Sequence, residues 1–293
     1  MSAANDTGYL FLGPRLEKKR KTLKNGHSIT AYHRSGVVAQ AGAESPWRHA
    51  TFFCQGTSVE DADGQLVQGV DLCEAIDADG DISWGVLWRP AGGPETFQFV
   101  LGTGKWTGIR GGGNLLPPVQ QRADDYQMPG YEINWQLDGK NSKLSDHIDP
   151  DGDYPESDRC ISFHGPHVID STKALASGYI LEVNSQSGVL YSETPEAVSP
   201  RNYATCFDRG STIKDADGKT LGDVMLLEDT DADGDVAWLY HLWWYGQGGG
   251  IYKFVGGTGK WKGIVGDGQT GSMVAQRNDD HYMLRSEIRW RIE

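Results

Sequence analysis

The chain has 293 residues, enough for two domains that each bury a core of their own. A net charge of −13 argues against a nucleic-acid or anionic-membrane partner, because both need clustered Lys and Arg to displace counterions. No window approaches the roughly 20 apolar residues of a membrane span, and no N-terminal apolar run has signal-peptide length, so a cytoplasmic protein is the expectation.

Residues 1–26 read as a basic arm outside the first folded unit. Six of the positions from Arg15 to Lys24 are basic and only Glu17 is acidic, and a short helix fits around Leu16 to Leu23. From His27 onward the pattern changes to short segments of alternating polarity separated by Gly, Asp, Asn and Pro, which is an all-β signature. Eight strands are predicted near 28–33, 37–41, 49–58, 66–75, 81–89, 96–101, 117–122 and 130–137. Alternation is clearest in the last of them, with Tyr131, Ile133 and Trp135 on one face and Glu132, Asn134 and Gln136 on the other. Residues 138–177, rich in Asp, Gly, Pro and Ser, read as a linker.

The remainder, 178–293, repeats the first unit. Gly102-Thr103-Gly104-Lys105-Trp106 returns as Gly257-Thr258-Gly259-Lys260-Trp261 at an offset of 155, while Gly56, Glu74 and Trp84 map onto Gly210, Glu228 and Trp238 at 154. Eight antiparallel strands in about 110 residues would leave two reactive edges in an open sheet, and closure removes them. The predicted fold class is therefore all-β, two tandem antiparallel eight-stranded β-barrels, at 27–137 and 178–293.

Asp-Ala-Asp-Gly occurs at 61, 77, 215 and 231. It reads as a hairpin turn and not as a calcium loop, since a strand follows at once and no twelfth-position Glu or flanking helix is present. The glycine-rich Gly-Thr-Gly-Lys-Trp lacks phosphate-loop spacing and a following helix, and reads as a tight turn with Gly at positive φ and Trp packed on the barrel. Asp149, Asp151, Asp153, His147, His164 and His167 lie in the irregular linker, which offers a metal no predictable face, so neither metal nor cofactor is expected. The repeats do not preserve the four cysteines, which read as reduced thiols.

The segments Phe99 to Ile109 and Phe254 to Ile264, carrying the two Gly-Thr-Gly-Lys-Trp copies, resemble the glycine-rich signature of allene oxide cyclase-like and dirigent-like β-barrels. That resemblance implies cofactor-free handling of reactive, largely apolar small molecules, such as epoxide cyclisation, phenoxyl-radical coupling or polyketide ring formation. It also implies barrels that often oligomerise. No catalytic residue of the family matches a position here.

A duplication separates scaffold from specialisation. Pairs kept in both halves, such as Trp84/Trp238 and Arg122/Arg277, read as structural or as a site present twice, whereas polar residues of one half are candidates for a specialised site. The predicted strand from Val236 to Tyr245 puts Trp238, Tyr240, Leu242 and Trp244 on one face and Ala237, Leu239, His241 and Trp243 on the other, and either face can line the barrel. Glu74 and Glu228 share faces with apolar neighbours; turned inward, each would be desolvated and its pKa raised, as general acid/base work requires. The candidate proton-transfer residues are Glu228, Tyr240, His241 and His281. The candidate substrate-binding residues are Glu74, Trp84, Trp88, Trp238, Trp244, Tyr282 and Arg277. A satisfied core residue is the competing reading for each.

No hydrolase elbow, zinc motif or dinucleotide fingerprint occurs. The expected function is a cofactor-independent cyclase, isomerase or lyase acting on an apolar, aromatic or polyene-derived small molecule. The alternative is a carrier that binds such a molecule unchanged, with a homo-oligomer open in either case.

Overall fold

The computed structural model describes residues 4–23, 26–42, 44–121, 126–137, 148–149, 151–175, 177–194, 196–246, 249–276 and 281–293. The chain divides into two compact units, Met1–Ser142 and Lys143–Glu293. Among the described residues the regular structure is β-strand, apart from two single-turn 3-10 segments.

Unit 1 comprises β1 (Ala4–Leu12), β2 (Leu16–Thr22), β3 (Ser28–Gln40), β4 (Thr51–Glu60), β5 (Leu66–Ile76), β6 (Ile82–Pro90), β7 (Glu95–Gly102), β8 (Ile109–Gln121) and β9 (Gln127–Leu137). Unit 2 repeats it as β10 (Glu156–His164), β11 (Val168–Ala174), β12 (Ile180–Ser192), β13 (Ala204–Lys214), β14 (Thr220–Thr230), β15 (Val236–Trp244), β16 (Gly250–Gly257), β17 (Ile264–Gln276) and β18 (Tyr282–Ile292). All pairings are antiparallel. In each unit the first strand bonds to both the last and the third, closing an eight-stranded barrel.

The short second strand does not add a ninth stave. Leu16 to Thr22 lies against the first half of β3, and Tyr9 to Leu12 against its second half, so β1 and β2 are one strand broken at Gly13-Pro14. The break recurs at Gly165-Pro166, between β10 and β11. Proline supplies no donor and fixes φ, which interrupts a ladder. A side chain at Gly36 would stand 2.4 Å from the carbonyl oxygen of Phe11, so the crossing of β1 over β3 requires glycine there.

Two predicted boundaries are corrected. Residues 1–26 are not an arm with a helix near Leu16: the described part supplies β1 and β2, because β9 and β3 would otherwise present open edges. The 138–177 segment is not wholly linker, since it contributes β10 and β11 to the second barrel. The positions 138–147 lie outside the described residues.

The predicted turns appear in both copies, joined into one clasp. In the hairpin between β5 and β6, Asp77 Oδ1 accepts the amides of Asp79 and Asp81, at 2.9 and 3.0 Å. Its Oδ2 receives the indole Nε1 of Trp106 at 2.8 Å and Lys105 Nζ at 2.9 Å from the Gly-Thr-Gly-Lys-Trp turn. Asp231, Trp261 and Lys260 repeat this at 2.8 and 2.9 Å. Gly104 and Gly259 sit at φ +52°, where a Cβ would meet an oxygen of Asp81 or Asp235 at 1.7 Å.

Cys54 and Cys73, facing each other across β4 and β5, form a disulfide. This corrects the expectation of four reduced thiols; Cys160 and Cys206 are free and buried. Among the described residues no helix is long and apolar enough to cross a membrane.

Candidate functional site

Strand alternation and the core clusters fix which side chains point inward. In unit 1, Cys73, Ala75, Leu87, Phe97 and Ile133 meet across the barrel. Trp47, from the loop before β4, plugs this interior and stacks edge-on with Tyr131, Phe97 and Phe52 at 4.7, 4.9 and 5.0 Å. Among the other inward polar groups, Asp71 takes the phenol of Tyr32 and lies 2.9 Å from Arg89.

In unit 2, Met225, Leu227, Ala237, Leu239, Tyr252 and Phe254 occupy the inward positions. Here the position of Trp47 carries Arg201, 154 residues on. Arg201 binds Asp229 at 2.9 Å and lies 4.5 Å over the Tyr252 ring, so a charged pair replaces the plug. Above it a cavity of about 530 Å³ opens, lined among others by Asp223, His241, Trp243, Thr270, Tyr282 and Leu284. That is the size of an ordinary small-ligand site.

Two imidazoles, those of His167 and His241, line this cavity, and His241 is the one held between a carboxylate and a hydroxyl. Its Nδ1 stands 3.5 Å from Asp223 Oδ1, and its Nε2 is 3.0 Å from Thr270 Oγ1. Thr270 Oγ1 also accepts the amide of Gly250 at 3.1 Å. The order carboxylate, imidazole, hydroxyl is that of a proton relay: Asp223 Oδ1 is buried without a hydrogen-bond partner and lies at ion-pair distance from Nδ1, and a hydrogen placed on Nδ1 would leave Nε2 to accept from Thr270. The phenol of Tyr282 donates to Gln186 Oε1 at 2.6 Å, and burial, with Asp208 and Asp223 nearby, raises its pKa, so it stays a neutral donor.

Of the candidates named from sequence, His241 and Tyr282 share this cavity. His281 is exposed and does not line it. Glu228, Trp238, Tyr240 and Trp244 are buried on the opposite face of β14 and β15, where Trp238 Nε1 donates to Glu228 Oε2 at 3.4 Å. Glu74, Trp84 and Trp88 take the same non-interior face of unit 1, because the inward residues of β5 are Asp71, Cys73 and Ala75. The condition on which Glu74 and Glu228 were selected, an inward-facing strand face, is therefore not met. Arg277 and its counterpart Arg122 lie outside the described residues.

Asp223 and Thr270 escaped the sequence reading although a signal was present. Subtracting 154 or 155 places Gly69, Leu87 and Leu115 at the positions of Asp223, His241 and Thr270. All three polar members are thus specific to the second repeat, and in unit 1 Leu87 and Leu115 fill the space with hydrocarbon.

No protein-family model matches the chain, and no curated protein matches it. Among solved structures, a crystal structure of CghA with Sch210972 aligns with 97% of this chain and 88% of its own at 9% identity. Its TM-score is 0.16, and a likeness that weak carries no argument. The two tandem eight-stranded barrels expected from the internal repeat are present, while no family model supports the allene oxide cyclase-like resemblance.

Proposed function

We propose that the second barrel is a cofactor-independent proton-transfer catalyst, of isomerase, cyclase or lyase type, for a small molecule with an apolar body. The observation that carries this reading is the Asp223–His241–Thr270 relay on the wall of a ligand-sized cavity. Trp243 and Leu284 offer the apolar contacts that hold such a body, while Nε2 of His241, directly or through the Thr270 hydroxyl, takes a proton and returns it elsewhere on the ligand. Acyl transfer through Thr270 is disfavoured, because the neighbouring Gly250 amide is spent on Thr270 itself and is not free to hold an oxyanion.

The test is a thermal-shift screen of the full chain against phenolics, polyenes and oxylipins, with every stabilising compound recovered and analysed by chiral chromatography and mass detection. Conversion by the wild type that falls roughly a hundredfold or more in His241→Asn, with the thermal shift retained, is the expected result. A stabilising ligand returned unchanged by the wild type would replace the enzyme with a carrier. Conversion untouched by His241→Asn would remove the relay.

A further inference from the structure

Deeper in the second barrel than His241 lies a set of side chains that the relay does not use. Asp208 on β13 pairs with Leu227, two residues further along β14 than Met225, the partner of His241. His164 ends β10 and stacks beneath Tyr282 at 5.0 Å. With Cys206, these residues bring one donor atom each to within 4.8 Å of the others, and they are 4%, 3% and 5% exposed for His164, Cys206 and Asp208.

Neither ring nitrogen of His164 has a hydrogen-bond partner, and Asp208 Oδ1 has none. Buried polar atoms without a hydrogen bond cost on the order of 1–3 kcal/mol each, a cost that an ion bound between them would recover. The spacing suits a metal. Two donors about 2.1 Å from a tetrahedral ion stand roughly 3.4 Å apart, and His164 Nδ1 lies 3.4 Å from Asp208 Oδ2.

The first repeat supplies the contrast. Subtracting 152 from His164 and 154 from Cys206 and Asp208 gives Leu12, Phe52 and Cys54. Leu12 and Phe52 belong to the hydrophobic core there, and Cys54 is held in the disulfide. The nitrogen, sulfur and oxygen donors occur together in the second barrel alone of these two equivalent places.

We propose that His164, Cys206 and Asp208 form a binding site for a divalent transition metal, with Zn²⁺ and Co²⁺ the ions this mixed donor set suits. On loading, the Cys206 thiol gives its proton to solvent and the thiolate joins the Asp208 carboxylate, so the two negative charges balance the ion. Three protein ligands leave a fourth position open, and Tyr282, which lines the cavity, stacks on the His164 ring. His164 was assigned to an irregular linker when read from sequence; its place on β10 is what puts it beside Asp208.

The experiment is a Co²⁺ titration of the metal-free full chain under non-reducing conditions, followed by its thiolate-to-cobalt charge-transfer absorption. With Cys54 and Cys73 joined, only Cys160 and Cys206 can give that band. One equivalent of Co²⁺ should produce it, and Zn²⁺ should displace it. Cys206→Ser should abolish the band, and His164→Leu, which copies the first repeat, should weaken binding at least about a hundredfold. Cys160→Ser should leave it intact. The wild type failing to show the band at one equivalent, or a band that survives Cys206→Ser or vanishes with Cys160→Ser, overturns the proposal. Circular dichroism and a thermal melt of each variant separate ligand loss from misfolding, and the wild-type arm decides by itself. The cavity relay stands or falls apart from this result.

Discussion

Two buried aspartates set the acid-side stability of the molecule. Asp71 in the first barrel and Asp229 in the second are each pushed up to about 6 by burial, which outweighs the pull of Arg34 on Asp71 and of Arg201 on Asp229. The same groups in the unfolded chain titrate near 4. Between about pH 4 and 6 the native state therefore holds more protons than the unfolded one. Their stabilising contribution is complete below about pH 4 and is lost as pH rises through about 6. Asp77 and Asp231 run the other way. Burial opposes their charge, but hydrogen bonds from Lys105 and Trp106, and from Lys260 and Trp261, hold both below the usual range, so their contribution is lost only as pH falls below about 4. The urea midpoint should consequently be higher at pH 5 than at pH 7, and Asp229→Asn should flatten that slope, whatever it does to stability overall. A slope identical in wild type and variant would show that Asp229 does not titrate in this window.

At the scale of the element, the clasp between Asp-Ala-Asp-Gly and Gly-Thr-Gly-Lys-Trp explains why both motifs survive in both repeats without any catalytic duty. Trp106→Phe and Trp261→Phe each remove a buried indole donor from a carboxylate and should cost about 1–3 kcal/mol in urea unfolding. Lys105→Met and Lys260→Met act on side chains 44% and 40% exposed and should cost less than about 1 kcal/mol. Equal losses for Trp and Lys variants would contradict the clasp. These turns were legible because Asp and Gly carry their geometry locally. The disulfide was not, and the reason is one residue of register. Glu60 pairs with Leu66, which by itself would set Cys54 against Leu72; the bulge between Val59 and Glu60 advances the ladder and brings up Cys73. The inward face of β15 was hidden for a related reason: Trp238 and Leu242 on one side and Leu239 and Trp243 on the other are equally apolar, so alternation cannot orient the strand. The disulfide also bears on the expected cytoplasmic location, since such bonds persist chiefly in oxidising compartments.

Across the whole chain, the duplication has produced two barrels with packed cores of which the second carries a ligand-sized cavity beside its core, and among the described residues a few exchanges set them apart. Trp47 became Arg201 paired with Asp229, and Leu87 and Leu115 stand where His241 and Thr270 line the cavity. This division was readable in the alignment of the repeats but not in either repeat alone, since inward polar residues look ordinary until the matching apolar ones are placed beside them. It can be reversed. His241→Leu combined with Thr270→Leu copies the first barrel into the second and fills the cavity mouth with hydrocarbon. Cavity filling commonly adds about 0.5–2 kcal/mol, whereas the Gly250 amide loses its Thr270 acceptor at a cost of about 1–3 kcal/mol. The side chain of Asp223 is 19% exposed, although its Oδ1 is buried. These terms nearly cancel, so the melting midpoint should move by only a few degrees, at roughly 2–4 °C per kcal/mol. The thermal shift given by any cavity ligand should vanish in the same protein. A ligand that still stabilises the double variant binds somewhere other than the second barrel, and the assignment of function to that barrel would then be lost.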